Sequence, residues 1–389
     1  MSAKAAVAFL FTVCLLSSSP QALAQSTPKV AVLAPLSGNY SSLGKAVRDA
    51  LEWVDGELLL PIEWVYFDTK GEASIATELS KEIAENPDFI ALFGPVGQEE
   101  SRQVVSALSD TQLPIIVLSS ADGIEETASH IFRARVSAEE QSRALARFAI
   151  DVLEKERAAV FYPDDDYGRS CMLAFTGELQ TMGLEPGPVE PYPADEHKVQ
   201  KEAELLTGKR IRKASDEGEF KTVKQKRAKL DFDVLFIPDD GGELARIAPY
   251  LELAGLSMGG GAQIPLLGTS AWLTGQTSAA EGRLEGAMLL RLFDAEHSSV
   301  SNWVQDFYDR EERMPTDFEA QLGDAALYLS QALRRCPDSP SRECVLQGLA
   351  SGARIQGIAG FFSFSAKRSP VRELFVYVMD GNGESWRAE

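Results

Sequence analysis

Histidine is scarce in this chain of 389 residues, which contains only His130, His197 and His297, far apart in the sequence. No H-x-x-x-H pair or Cys/His cluster accompanies them, so the usual ligand set of a zinc site is missing. The chain also lacks a G-x-S-x-G nucleophile turn, a phosphate-binding loop and a dinucleotide-binding fingerprint. These absences predict a protein that has no catalysis of its own and needs no cofactor.

Positive charge is scarce as well. The chain has 38 Lys and Arg residues against 58 Asp and Glu residues, for a formal net charge of −20. Because neutralising phosphates requires a basic face, nucleic-acid binding is disfavoured. The hydrophobic fraction of 44% and charged fraction of 25% are typical of a globular protein. The length is sufficient for two domains with separate cores.

Long apolar runs are absent except near the N-terminus. Lys4 precedes the apolar stretch from Ala5 to Leu16, and Ala22-Leu23-Ala24 matches a cleavage site for signal peptidase. The stretch is too short to span a bilayer as a permanent helix. We therefore expect residues 1–24 to be a cleavable signal peptide. The mature protein is expected in the periplasm, without stable membrane insertion.

Cysteine is rare, with four residues in the whole chain. Cys336 and Cys344 flank a short Pro/Ser segment between two helical patterns. In an oxidising compartment a local disulfide between them is favoured over two free thiols. Cys171 lies on another helical pattern and is expected to be a small buried residue.

The mature sequence opens with an apolar run, residues 30–34, that leads into a Pro/Ser/Gly turn and then a helical pattern. The run predicts a buried parallel strand, and Ser41 or Ser42 is the expected N-cap of the helix. Free backbone N–H groups and the positive end of the helix dipole at this turn would suit a carboxylate. The alternative is an ordinary strand–helix unit with nothing bound.

Strands and helices then alternate in two series of similar size. The short loops between them are typical of parallel sheets with right-handed crossovers. Two such series predict two α/β lobes with a cleft between them. The expected boundaries are residues 27–136 plus 271–356 for lobe I, and residues 137–270 plus 357–389 for lobe II.

A charged insertion, residues 197–229, interrupts the second series and is rich in Lys and Arg. The pattern predicts a long helix or a helical hairpin. One interpretation is a solvated helix of mixed charge. The other is a docking surface for a partner or an acidic polymer.

The order and spacing of several segments resemble a known family. They are Val30 to Gly38, Phe93-Gly94-Pro95, Leu118-Ser119-Ser120, Tyr162 to Gly168 and Asp231 to Pro238. Together they resemble type I periplasmic solute-binding proteins of the leucine/isoleucine/valine-binding class, which serve ABC transporters. The resemblance implies two parallel-sheet lobes, joined by three crossover strands, that close on a ligand. It also implies a receptor for a small polar solute, such as an amino acid, and an ABC permease as partner.

Residues 231–240 and 267–272 are similar to the penicillin-binding-protein-activator branch of the same superfamily, whose members regulate cell-wall synthases. This resemblance implies an alternative function. The chain would then be a non-catalytic interaction protein with a partner in envelope synthesis.

The family resemblance also implies a set of ligand-binding residues. Hydroxyl and N–H groups after the third and fourth strands hold the ligand carboxylate in the amino-acid binders, and a tyrosine of the second lobe matches Tyr167. The family's acid for the ligand ammonium has no counterpart between Ser270 and Trp272, so Asp240 is the hypothesised substitute. The predicted ligand-binding residues are Ser37, Tyr40, Gly97, Gln98, Ser119, Ser120, Ala121, Tyr167, Asp240 and Ser270.

Overall fold

The structure is a computed structural model that describes residues 27–58, 62–193, 196–209, 228–274, 282–297, 300–336, 340–382 and 385–387. The predicted signal peptide lies outside these residues. So does most of the charged insertion, at residues 210–227. The described start of the insertion lies in a helix, Glu196–Leu206.

The strands, in chain order, are β1 (Lys29–Ala34), β2 (Glu63–Asp68), β3 (Phe89–Phe93), β4 (Ile115–Val117), β5 (Ile131–Arg133), β6 (Ala158–Pro163), β7 (Val189–Tyr192), β8 (Val234–Phe236), β9 (Leu266–Gly268), β10 (Met288–Arg291), β11 (Ile355–Gly357), β12 (Gly360–Phe364), β13 (Pro370–Arg372), β14 (Phe375–Met379) and β15 (Ser385–Arg387).

The helices are α1 (Ser41–Val54), α2 (Ala73–Glu85), α3 (Gln98–Ala107), α4 (Ala138–Arg147), α5 (Asp166–Thr181), α6 (Glu196–Leu206), α7 (Gly241–Leu253), α8 (Ser301–Glu311), α9 (Asp317–Arg334) and α10 (Arg342–Leu349).

Lobe I is built on a parallel sheet in the order β2-β1-β3-β4-β5. The side chains of β1 and β3 are almost all buried, as expected for strands covered on both faces. One face packs against α1, α8, α9 and α10, and the other against α2 and α3. The predicted α/β class is confirmed for this lobe.

Lobe II contains a sheet in the order β15-β14-β10-β9-β8-β6-β7. The pairs among β6 to β10 are parallel, whereas β14 and β15 add antiparallel pairs at one edge. Helices α6 and α7 cover one face, and α4 and α5 cover the other. The second parallel-sheet lobe is therefore present as predicted.

The lobe boundaries differ from those expected. Strand β10 falls in the stretch assigned to lobe I but pairs with β9 and β14 in the second sheet. The small antiparallel sheet β11-β12-β13, mostly within the stretch assigned to lobe II, packs Phe362 and Phe364 against Tyr328 of α9. Short apolar strands carry no local signal for which of two sheets they join, so tertiary packing decides their place.

The chain passes between the lobes in three places, around residues 134–136, 292–294 and 372–374. This number agrees with the resemblance. Helix α9 contacts all three crossings through polar side chains that share one face at positions 317, 321 and 324. Leu292 N donates to Asp317 (2.8 Å), Val136 N donates to Gln321 (3.1 Å), and Asp324 forms an ion pair with Arg372 (3.3 Å).

A disulfide bond joins Cys336 to Cys344 across the end of α9 and the start of α10, which is the pairing that the sequence favoured. Cys171 is a buried free thiol. Among the helices that the structure describes, none has the length and apolar character needed to cross a bilayer.

Candidate ligand-binding site

A cavity of about 710 Å³ lies at the carboxyl edge of the lobe I sheet, where open α/β sheets commonly bind ligands. The start of α1, the loops after β3 and β4, the first crossing and the start of α9 form its walls. Gly97, Gln98 and Ser120 of the predicted set line it. The other lining residues are Ser42, Leu43, Lys45, Ala46, Val96, Arg135, Arg313, Thr316, Phe318 and Glu319.

The predicted residues after β4 have different environments. Ser119 is fully buried, and its Oγ accepts a hydrogen bond from Ala121 N at 3.1 Å. Ala121 is itself buried. Ser120 lines the cavity, and its hydroxyl has no hydrogen-bond partner among the described residues. Ser120 is therefore the member of this segment whose side chain is available to a ligand.

In the loop after β3, a glutamate of the protein occupies the position predicted for a ligand carboxylate. Gly97 N donates to the Glu100 carboxylate at 3.0 Å, and Glu100 is buried in the first turn of α3. A Cβ atom at Gly97 would lie 2.4 Å from Glu100 Oε2, so a glycine allows this close approach. The amide of Gly97, predicted to hold ligand, is occupied by the chain's own carboxylate. Gln98 lines the cavity beside it.

The opening turn, residues 35–38 after β1, also binds a carboxylate of the protein itself. Asp68, at the end of β2, accepts hydrogen bonds from Leu36 N (2.8 Å), Ser37 N (3.2 Å), Lys70 N (2.9 Å) and Ser37 Oγ (2.6 Å). Desolvation opposes ionisation of Asp68, but these hydrogen bonds outweigh it and lower the pKa of the carboxyl group. The turn does suit a carboxylate, as predicted, but the carboxylate belongs to the protein.

The start of α1 differs from the expectation. Tyr40 occupies the N-cap position without a side-chain cap, whereas Ser41 or Ser42 was expected there. The amides of Leu43 and Gly44 instead bond to the carbonyl of Tyr40. The Tyr40 side chain is largely exposed and does not line the cavity.

The predicted residues of lobe II do not line the cavity. The Tyr167 hydroxyl is hydrogen-bonded to Thr269 Oγ1 at 3.0 Å, and burial raises its pKa. Asp240 Oδ1 accepts from Gly242 N and Glu243 N and so caps α7. Ser270 N donates to Gln141 Oε1 at 2.8 Å. The Asp240 carboxylate, hypothesised to bind an ammonium group, thus has a structural partner at the helix start.

Asp239, next to Asp240, is also engaged within lobe II. The buried hydroxyl of Tyr192 donates to its carboxylate. Burial raises the pKa of Asp239 to about 6, against the opposing effect of the Tyr192 hydrogen bond. Both acids after β8 therefore have internal partners.

Sequence reasoning missed Arg135, which lies in the first crossing and lines the cavity. Its guanidinium stacks 4.7 Å from the centre of the Phe318 ring, and its Nη1 lies 3.5 Å from Leu118 O. Its Nε is buried without a hydrogen-bond partner. Burial, together with the nearby Arg372, lowers the pKa of Arg135 to about 10. The available signal was a second arginine, two residues after Arg133, in the otherwise apolar stretch of residues 131–136.

Within the described part of the chain, no group of three or more His, Cys, Asp or Glu residues is arranged to hold a metal ion. The residues of the cavity are suited to hydrogen bonding and ion pairing with an organic solute.

Two α/β lobes, three crossings between them and a cavity at the carboxyl edge of one sheet define the two-lobe fold of the type I periplasmic binding class. The model of the family described as "Periplasmic binding protein" matches residues 27–384, and the chain belongs to that family.

Solved structures of similar fold include a putative branched-chain amino acid ABC transporter protein from Rhodospirillum rubrum. It is 18% identical, with a TM-score of 0.75, over 93% of this chain and 100% of that one. LivJ from Streptococcus pneumoniae, solved in complex with isoleucine, is 16% identical with a TM-score of 0.64, over 93% and 100%. A solute-binding protein from R. palustris, solved in complex with benzoate, is 20% identical with a TM-score of 0.64, over 93% and 95%. At these identities the likeness shows the fold.

A curated relative, the penicillin-binding protein activator LpoA of Photobacterium profundum, is 22% identical over 233 residues. The match covers 58% of this chain and 37% of the relative, so the chain matches little more than a third of that protein's length.

Proposed function

We propose that this protein is an exported receptor that captures a small polar solute and delivers it to an ABC permease. The observation that carries the proposal is the cavity at the carboxyl edge of the lobe I sheet, with the Ser120 hydroxyl available to a ligand. Membership of a family of binding proteins supports a role without catalysis. Relatives of the same fold were solved with isoleucine and with benzoate, which are solutes of a size that suits the cavity.

In this proposal the solute first contacts lobe I, and rotation about the three crossings then brings lobe II over it. Tyr167 and Ser270, at the carboxyl ends of the lobe II strands, are the predicted residues that would approach the solute on closure. A ligand shifts the equilibrium between the open and closed forms only through contacts that the open form does not provide. Exclusion of water in the closed form strengthens each polar contact.

The neighbouring serines after β4 provide a matched test. Thermal unfolding of the mature protein is followed against a panel of amino acids, small carboxylates and neutral solutes. A solute at about 100 times its dissociation constant adds roughly 2.7 kcal/mol to the free energy of unfolding. We expect Ser120→Ala to weaken binding of the identified solute about tenfold, because a hydrogen bond is lost. Ser119→Ala is expected to lower stability and leave the affinity nearly unchanged.

Equal affinity of the wild type and Ser120→Ala for that solute would contradict the assignment of the cavity. Absence of binding across the whole panel would contradict the receptor function itself.

We also propose that the protein acts in the periplasm, after removal of residues 1–24. The family assignment supports this location. N-terminal sequencing of protein recovered from the periplasmic fraction is expected to begin at Gln25. A mature protein that still starts at Met1 would contradict the proposal.

A second candidate function is a surface interaction that regulates envelope synthesis. The partial match to an activator of penicillin-binding proteins favours it, as does the internal use of both Asp239 and Asp240. Chemical cross-linking of the mature protein to purified cell-wall synthases, without added solute, would test it. A specific cross-link unaffected by Ser120→Ala would support this candidate over the solute receptor.

A further inference from the structure

The cavity contains three cationic side chains, and two of them already have counterions. Lys45 forms ion pairs with Asp49 (2.6 Å) and Glu311 (2.7 Å). Arg313 forms ion pairs with Asp49 and Glu319. Arg135 has no carboxylate at ion-pair distance among the described residues, and its polar contacts are limited to one long hydrogen bond.

An arginine in this position is unfavourable for the ligand-free protein. Arg135 is partly buried, and a partly desolvated charge without an ion pair loses hydration and gains little in return. Contact with the Phe318 ring compensates in part. The lowered pKa of Arg135 has the same physical origin, since burial and Arg372 disfavour the charged form and outweigh the nearby Asp317 carboxylate, which favours it. An anion placed in the cavity would supply the missing counterion.

Two other positions at this edge that could attract an anion are filled by the chain. The opening turn binds Asp68, and the first turn of α3 binds Glu100. Arg135 is therefore the cationic group of the cavity that remains without an ion pair. Ser120, with a free hydroxyl, lines the same cavity.

The cavity provides no free acid for an ammonium group. Glu319 is the carboxylate among the lining residues, and its side chain is 1% exposed. Its oxygens accept hydrogen bonds from Arg313, Thr316 N (2.8 Å) and Thr316 Oγ1 (2.9 Å). An α-ammonium group would therefore lose water without gaining a counterion, whereas the apolar lining residues favour an uncharged body.

We propose that the solute is a small carboxylate without an ammonium group, held through its carboxylate by Arg135 and Ser120, with an apolar body against Leu43, Val96 and Phe318. This inference rests on the proposed receptor function and narrows its solute to one chemical class. It departs from the amino-acid receptor that the resemblance implied, because the cavity offers a cationic side chain and, among its described lining residues, no free acid for an ammonium group.

Calorimetric titration of the full mature protein with matched probes tests the proposal. Leucine and 4-methyl-2-oxopentanoate share a carbon skeleton and differ in the ammonium group, while benzoate and benzamide differ in the charge of the head group. We expect the 2-oxo acid to bind at least tenfold more tightly than leucine. Benzoate is expected to bind at least tenfold more tightly than benzamide. A set of neutral sugars and alcohols completes the panel.

Arg135→Gln then tests the anchor. We expect at least a tenfold loss of affinity for the carboxylate probes, together with an unchanged or higher melting temperature, since the variant removes a partly buried charge that has no ion pair among the described residues. A purely structural role for Arg135 would instead lower the melting temperature. Arg135→Lys, which keeps the charge but loses the planar fork, is expected to retain part of the affinity. Arg169→Gln, at an exposed arginine of lobe II, is the control and should bind as the wild type does.

Three outcomes would overturn the inference. Leucine could bind as tightly as its 2-oxo analogue, or Arg135→Gln could keep the affinity for carboxylates. Alternatively, a neutral solute could bind while every carboxylate fails, which would leave the receptor function standing. Failure of the entire panel, neutral solutes included, would overturn the proposed function together with this inference.

Discussion

At the scale of single residues, Asp239 and Tyr192 form a buried pair at the edge of the lobe II sheet. Desolvation raises the pKa of Asp239 to about 6, whereas an aspartate in an unfolded chain titrates near 4. The folded protein therefore binds a proton at Asp239 more tightly than the unfolded chain does. The stability that this group contributes is fully present below about pH 4 and is lost as the pH rises through about 6.

We expect Asp239→Asn to remove this dependence on pH. Between pH 4 and pH 7, the free energy of unfolding of the wild type should fall relative to that of the variant by at most about 3 kcal/mol, since one pKa unit corresponds to about 1.4 kcal/mol. Urea unfolding at half-unit pH steps measures the difference. Asp110→Asn, a replacement of an exposed carboxylate, is the control. Parallel pH profiles for the wild type and Asp239→Asn would refute this account.

At the scale of elements, the helix that follows the first strand of each lobe begins against the end of that strand. A Cβ atom at Gly44 of α1 would lie 2.3 Å from Pro35 O, and one at Gly168 of α5 would lie 2.1 Å from Pro163 O. Both distances are shorter than any real contact. The two turns therefore need a glycine so that the helix can approach the strand closely.

We expect Gly168→Ala to destabilise the protein by about 1–3 kcal/mol, because the added methyl group forces the turn apart. At Gly177, in the same helix, an added methyl group would have no other atom within 4 Å. Gly177→Ala is the matched control, and its better helix propensity is expected to stabilise the protein by up to about 1 kcal/mol. Chemical denaturation of both variants measures the contrast. Equal effects of the two substitutions would be inconsistent with a steric requirement at Gly168.

At the scale of the whole molecule, one helix links the three crossings on which closure depends. Asp317, Gln321 and Asp324 lie on one face of α9, and each contacts a different crossing. Asp317 is half-buried, and Gln321 and Asp324 are buried. Water therefore cannot easily replace their partners, and loss of a partner costs free energy of folding. Polar contacts as well as apolar packing therefore hold α9 against the three crossings.

We expect Gln321→Leu to cost about 1–3 kcal/mol of unfolding free energy, because the buried N–H of Val136 then loses its acceptor. The exposed Gln347 of α10 offers a control, for which Gln347→Leu should stay within about 0.5 kcal/mol of the wild type. Equilibrium denaturation in urea measures both. A loss for Gln321→Leu no greater than that for Gln347→Leu would show that the contact with the first crossing contributes little.

The alternation of apolar strands with helical patterns is a local property, and it predicted the two parallel-sheet lobes. The family resemblance, which the family match confirms, rested on short segments at the ends of these strands. Strands β10 and β12 were assigned to the opposite lobes because three or four apolar residues suit either sheet equally well. In the candidate site, the family resemblance predicted Gly97, Gln98 and Ser120 as ligand-binding residues, and all three line the cavity.

The sequence by itself determined the α/β class, the repeated units and the loops that form the edge of the cavity, because periodicity and turn residues act over a few neighbours. Only the tertiary structure decided which carboxylates already form hydrogen bonds or ion pairs within the protein. Asp68 lies 31 residues from Ser37 in the sequence and yet occupies the opening turn. It also decided that Arg135 lines the cavity without an ion pair to any residue that the structure describes. Charge pairing depends on distances in space, and these are fixed only when the lobes have packed.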